Sequence, residues 1–193
     1  MKKGQFSRTA EAAAALRANH YLNAQNPVFS DPFALELSGK KWQTLFKLPF
    51  LQSALNSKIS NHTLGLLTGQ VVARSRYTED WLLEAIENGM KQYVLIGAGL
   101  DSFSLRLANM YPQLQVYEVD HPDTQQAKID RLKKFGDVPS NVHFVAIDFE
   151  KDMIFDALKR SKYDLNSPAF FSWLGTTHYL TPNATLATLE NIA

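Results

Sequence analysis

Cysteine is absent from the 193 residues, which excludes disulfides, thiolate metal sites and a catalytic thiol, and makes a reducing, cytoplasmic setting the expectation. A dominant charge is missing as well: 20 Lys+Arg stand against 19 Asp+Glu, a net charge of +1 with no basic block. Nucleic acid and membrane surfaces are therefore not expected as partners. No run approaches the roughly 18 apolar residues of a membrane span. In the N-terminal "MKKGQFSRTAEAAAALRANHYL", Glu11 and Arg17 interrupt the alanine run before a targeting segment could form. The histidines, His20, His62, His121, His143 and His178, show no metal-ligand spacing, so no bound metal is expected.

What is present, 45% hydrophobic and 20% charged residues, suits a single globular domain over 1–193. Residues 1–70 read as a helical prefix with short breaks. Ser7 is placed to cap its first helix, and "DPFALELSG" offers Asp31 as cap, Pro32 at the first turn and Gly39 as stop. A further helix is expected through "VVARSRYTEDWLLEAIENG", with Val71, Trp81, Leu82, Ala85 and Ile86 apolar and Asn88-Gly89 at its end.

From there short apolar runs alternate with helical segments, the signature of a parallel sheet with helical crossovers. Strands are expected near 92–96, 115–119, 142–147 and 169–174. The closing "TPNATLATLENIA" reads as a helix with Thr181 as cap and Pro182 in its first turn.

The chemistry gathers at the ends of these strands. In "YVLIGAGLDS" the run Gly97, Ala98, Gly99 follows a strand directly, which lets the backbone turn sharply and come close to a ligand. Ser102 stands where a dinucleotide fingerprint has its third glycine, so a tight turn without a ligand is the competing reading. About twenty residues on, "VYEVDHP" brings Glu118 and Asp120 to where Rossmann-like domains keep the acid that grips a ribose diol. Alternation sends both to one face, and Asp120 is alternatively a cap for the helix begun by Pro122. In "VAIDFEKD", Asp148 and Phe149 end the third strand, either to hydrogen-bond and flank a base or to cap and pack under the next helix.

Taken in order, "SRTAEAAAALRA", "VVARSRYTED", "VLIGAGLDSFSLRL", "VYEVDHPDTQQAK", "VHFVAIDFEKD" and "GTTHYLTPNATL" resemble the leucine carboxyl methyltransferase family, including its bacterial polyketide-type O-methyltransferase branch. The resemblance runs from about Phe6 to the chain end. It implies an α/β class I methyltransferase fold, a Rossmann-like parallel sheet over 71–193 behind the helical prefix, with S-adenosyl-L-methionine as methyl donor. By the same resemblance Gly97 and Gly99 face the methionine part and Asp120 the ribose, with Ala98 and Glu118 counted among the cofactor-binding residues. Asp148 with Phe149 takes the adenine, and Arg74 pairs with the cofactor's carboxylate, which a planar guanidinium fork suits. Where some members carry a glutamate after the fourth strand, this chain has Leu174.

Methyl transfer from a sulfonium neutralises charge, so positioning and desolvation do the work. A small-molecule carboxylate is ionised at neutral pH and needs no base, whereas a hydroxyl acceptor needs one, and His178 in "GTTHYL" is the candidate. Two other readings stand beside this one. The glycine turn and ribose acid would also serve an NAD(P)-dependent dehydrogenase. A class I sheet normally has seven strands, so a sheet cut off after about four leaves an apolar edge. That edge predicts a fragment, an inactive truncated fold, or self-association through the edge.

Overall fold

In the computed structural model, which describes residues 8–48 and 58–192 and gives 58–63 as backbone alone, Gln92–Ile96 (β1) is buried at every position. A run apolar on both faces is satisfied only as an inner strand with cover on each side. β2 (Gln115–Asp120) and β3 (Val142–Ala146) follow outward on one flank and β4 (Phe170–Trp173) lies on the other, giving the order β3-β2-β1-β4 with every pair parallel. The chain thus reverses direction across the sheet between β1 and β4, and open α/β sheets take ligands at the carboxyl ends beside such a switch point. The observed strands match the expected ones to within a residue at each end.

Contacts divide the described residues into two units, 81–99 with 103–192, and the described part of 8–80 with 100–102. In the sheet unit, the end of α4 (Lys58–Glu87) contributes Leu82 and Ile86, and α5 (Phe103–Arg106) contributes Phe103, to a layer over Tyr93, Leu95, Val116 and Val142. α6 (Pro122–Leu132) packs against β2 and β3. On the opposite face Val94, Ile96, Tyr117, Val119 and Val145 meet Ile154, Ala157 and Leu158 around α7 (Ile154–Lys159), with Ile192 of α8 (Pro182–Ile192) against them. Each such side chain, fully buried, contributes about 1.5–3 kcal/mol.

α4 ends as its sequence predicts. Gly89 takes φ +91°, its amide reaches the Ile86 carbonyl at 2.9 Å, and the Met90 amide reaches that of Ala85 at 2.9 Å. This crossed pair of bonds satisfies carbonyls the helix would otherwise leave open. The same helix begins earlier than expected, at Lys58, and runs unbroken through Gly65 and Gly69. Two glycines cost about 1 kcal/mol each in a helix interior, too little to break 30 residues of continuous pairing.

The helical unit also holds α1 (Arg8–Asn23), α2 (Ala34–Ser38) and α3 (Lys40–Phe46). Ala14, Ala15 and Ala18 of α1 are buried together with Ala34 and Leu37 of α2, small side chains letting two helices approach closely. Arg17 is buried with them, its Nε donating to Asp31 Oδ2 at 2.8 Å and its Nη2 to the Leu100 carbonyl at 2.6 Å. Asp31 therefore does not cap a helix as expected. One oxygen is held by Arg17, the other accepts the Phe33 amide at 3.2 Å, and α2 starts only at Ala34. The expected Ser7 cap lies outside the described residues. No described helix is long and apolar enough to cross a membrane.

Candidate functional site at the strand ends

The glycine turn is stitched to the end of the neighbouring strand. Gly97 and Gly99 adopt φ +67° and +53°, a region that disfavours side chains. In this shape the Gly97 and Ala98 amides both donate to the Val119 carbonyl, at 2.8 and 3.1 Å. The Gly99 amide donates to Asp120 Oδ2 at 2.5 Å. A Cβ on Gly97 would run into the side chain of Thr176, which the Trp173 indole N–H holds through a 2.6 Å bond to its Oγ1. The room that glycine leaves at Gly97 is thus taken by the loop after β4, where the sequence reading had given it to a ligand. Ala98 is buried within the first apolar layer.

Asp120 sits at the carboxyl end of β2, opposite Ala146 of β3. Its Oδ1 accepts the His121 amide at 2.6 Å, so each oxygen carries one backbone hydrogen bond. A carboxylate offers about four lone-pair directions, which leaves two for a pair of hydroxyls such as a ribose diol. Burial pushes the Asp120 carboxyl above its ordinary pKa, opposed by the Gly99 and His121 amides and by the charges of Lys128 and His121. Asp120 does not cap α6: that place belongs to His121, whose Nδ1 accepts the Asp123 amide at 3.3 Å. Glu118, expected beside Asp120 on the ribose side, is instead 1% exposed and in an ion pair with Lys128 of α6 at 2.5 Å. It lies under the helix, two residues short of the strand end.

At the end of β3, Asp148 closes a turn of its own. Its Oδ2 pairs with Lys151 at 2.5 Å, its Oδ1 accepts the Glu150 amide at 3.2 Å, and its amide donates to Asp152 Oδ2 at 3.0 Å. The Lys151 hydrogen bond holds its carboxyl below the usual aspartate value, aided by the Glu150 amide. Phe149 stacks on Trp173 with ring centres 6.3 Å apart and planes at 20°. A cleft of about 370 Å³ opens beside it, between segment 149–154 and α8, lined in part by Phe149, Lys151, Thr181 and Ala184.

Asp120, Asp148 and Phe149 therefore share one end of the sheet with the glycine turn. Arg74 lies half-buried on α4, in the helical unit. His178 is exposed in the short turn Thr177–Tyr179, its ring 3.9 Å from that of Tyr179. Among the described residues no group of three or more His, Asp or Glu is arranged to hold a metal ion. Two features escaped the sequence reading: the Trp173–Thr176 pair over Gly97, which depends on residues far apart in the chain, and Lys128. A signal for Lys128 existed in its place four residues after Thr124 and four before Leu132, on the inward face of α6.

A family model described as leucine carboxyl methyltransferase matches residues 10–193. Similar curated proteins include "Putative S-adenosyl-L-methionine-dependent methyltransferase YktD" of Bacillus subtilis, 32% identical, covering 100% of this chain and 68% of that protein. A protein of Mycobacterium marinum with the same description, without the final symbol, is 31% identical over 91% of this chain and 58% of its own length. The chain thus spans roughly six tenths of the length of these relatives. A solved S-adenosylmethionine-dependent methyltransferase, SibL in its apo form, has 15% identity and a TM-score of 0.44, covering 94% of this chain and 46% of that one.

Proposed function

This chain belongs to the leucine carboxyl methyltransferase family, and on that premise we propose that it holds S-adenosyl-L-methionine at the switch point and serves methyl transfer to an oxygen of a small molecule. One observation carries the reading: the turn with positive φ at Gly97 and Gly99 is hydrogen-bonded through the Gly99 amide to Asp120 at the carboxyl end of β2. The cofactor, when bound, supplies an electrophilic methyl on a sulfonium. The chain's own part is to fix it: Asp120 receives the ribose hydroxyls, and Phe149 and Asp148 flank the adenine.

Between the two acceptor classes, a carboxylate is favoured. A general base normally has a third group to orient it, and His178 is exposed, with its ring against Tyr179. A carboxylate acceptor is already ionised at neutral pH and asks nothing of His178. The family's description, which names a carboxyl group, supports the same choice.

The test is incubation with methyl-labelled S-adenosylmethionine and matched panels of small carboxylic acids and alcohols, together with binding of S-adenosylhomocysteine and of reduced dinucleotide. The reading expects S-adenosylhomocysteine to bind and label to appear in base-labile esters. Binding of the dinucleotide alone would replace it with a dehydrogenase.

A further inference from the structure

The face that α6 turns to the sheet is unusually polar: Thr124, Gln125 and Lys128 are buried there and only Leu132 is apolar. Gln125 donates to the Glu118 carbonyl at 3.1 Å, and Lys128 pairs with the Glu118 carboxylate at 2.5 Å, each ion 1% exposed. Such a pair is a poor source of stability, since well-packed apolar residues of the same volume usually do as well or better. Its neighbour suggests what it does instead. Asp120 lies two residues beyond Glu118 on the same strand, hence on the same face about 6.6 Å further along. Two carboxylates so placed repel, and in a buried setting one of them takes up a proton.

We propose that Lys128 is a positioning residue: by neutralising Glu118 and facing Asp120, it keeps the Asp120 carboxylate charged, and so keeps it seated on the Gly99 amide and ready to accept two hydroxyls. The charged groups around Asp120 are Lys128 from α6, Glu118 on its own strand and His121 beside it, while Asp148 at the end of β3 acts on His121. His121 is partly exposed and accepts the Asp123 amide through Nδ1 at 3.3 Å. Of these groups Lys128 is the one that also pairs with Glu118. The inference rests on the ligand reading above for its purpose but not for its physics.

The two halves of the pair make opposite predictions. Lys128→Met leaves Glu118 as an uncompensated anion and should raise the titration midpoint of Asp120 by about one pH unit or more. Glu118→Gln leaves Lys128 unopposed and should lower it. A pair that only supports the fold is broken equally by both changes and has no reason to move Asp120 in opposite directions.

The experiment is a carboxyl-carbon NMR titration of Asp120 in the ligand-free chain, for the wild type, Lys128→Met, Lys128→Arg and Glu118→Gln. The expected order of midpoints is Glu118→Gln lowest, wild type and Lys128→Arg together, Lys128→Met highest. If Lys128→Met fails to fold, Glu118→Gln decides alone: a midpoint that falls supports the role, and one that rises or stays overturns it. Movement of both variants in one direction, or of neither, also overturns it. S-adenosylhomocysteine affinity measured against pH should follow the same order. A wild-type chain that binds none of it would count against the ligand reading, while the titration would still decide the role of Lys128.

Discussion

Tyr117 carries its hydroxyl into the second apolar layer, where its oxygen is buried without a hydrogen-bond partner, against the rings of His143 and Tyr163. Burial, with the nearby Tyr163 and Asp164, pushes its phenol up to about 12. An unpaired buried hydroxyl costs roughly 1–3 kcal/mol, so Tyr117→Phe should stabilise the chain by about 1 kcal/mol in urea melts and remove the last phenolate to appear in an alkaline absorbance titration. Gly97 stands at the other extreme. Gly97→Ala must hold φ +67° and push a methyl into Thr176, and the backbone part alone is about 1–2 kcal/mol. Adding Thr176→Gly should recover the steric part of the measured loss and leave the backbone part.

Asp120 adds a dependence on pH whose sign follows from the direction of its shift. Its native pKa is raised, so its contribution to stability is fully present below the unfolded value and is lost as the pH rises through the native one. Melts of wild type and Asp120→Asn between about pH 4 and 7 should show the difference turning against wild type as the pH rises. At this scale the sequence was partly legible. Glycines after a strand and acids twenty residues on are local patterns, and they led to Gly99 and Asp120. It could not show that Glu118 faces Lys128 or that Thr176 fills the space at Gly97, because both are contacts across the fold between residues whose separation no motif encodes.

Among elements, the strands were easy to read and the helical prefix was not. A strand buried on both faces is a continuous apolar run, as at residues 93–96, and its partner and direction follow from the crossover rule. In the prefix a buried charge contact joins segments far apart in the chain. Arg17 joins α1 to Asp31 and to the Leu100 carbonyl, and to a reader of sequence it is one more helical arginine. Arg17→Met strands Asp31 as an unpaired anion at 0% side-chain exposure, and should cost about 3–5 kcal/mol in a denaturant melt. A loss below 1 kcal/mol would mean that Asp31 finds water or another donor. α4 starts before the expected stretch and carries Gly65 and Gly69 in its interior, at about 1 kcal/mol each.

For the whole molecule, the order β3-β2-β1-β4 sets a switch point between β1 and β4, with Gly97–Gly99, Asp120 and Asp148 at the same end of the strands. The family was legible because its motifs recur in order along the chain. The acceptor was not, because no strand-end pattern names it. The central claim is that this end of the sheet takes S-adenosylmethionine through Asp120, and isothermal titration calorimetry of the chain with S-adenosylhomocysteine, for wild type and Asp120→Ala, tests it most directly. The account predicts one-to-one binding that Asp120→Ala weakens by about 1.5–3 kcal/mol, the scale of hydrogen bonds to a charged group. No binding by the wild type at millimolar ligand, or equal affinity in the two proteins, would contradict it.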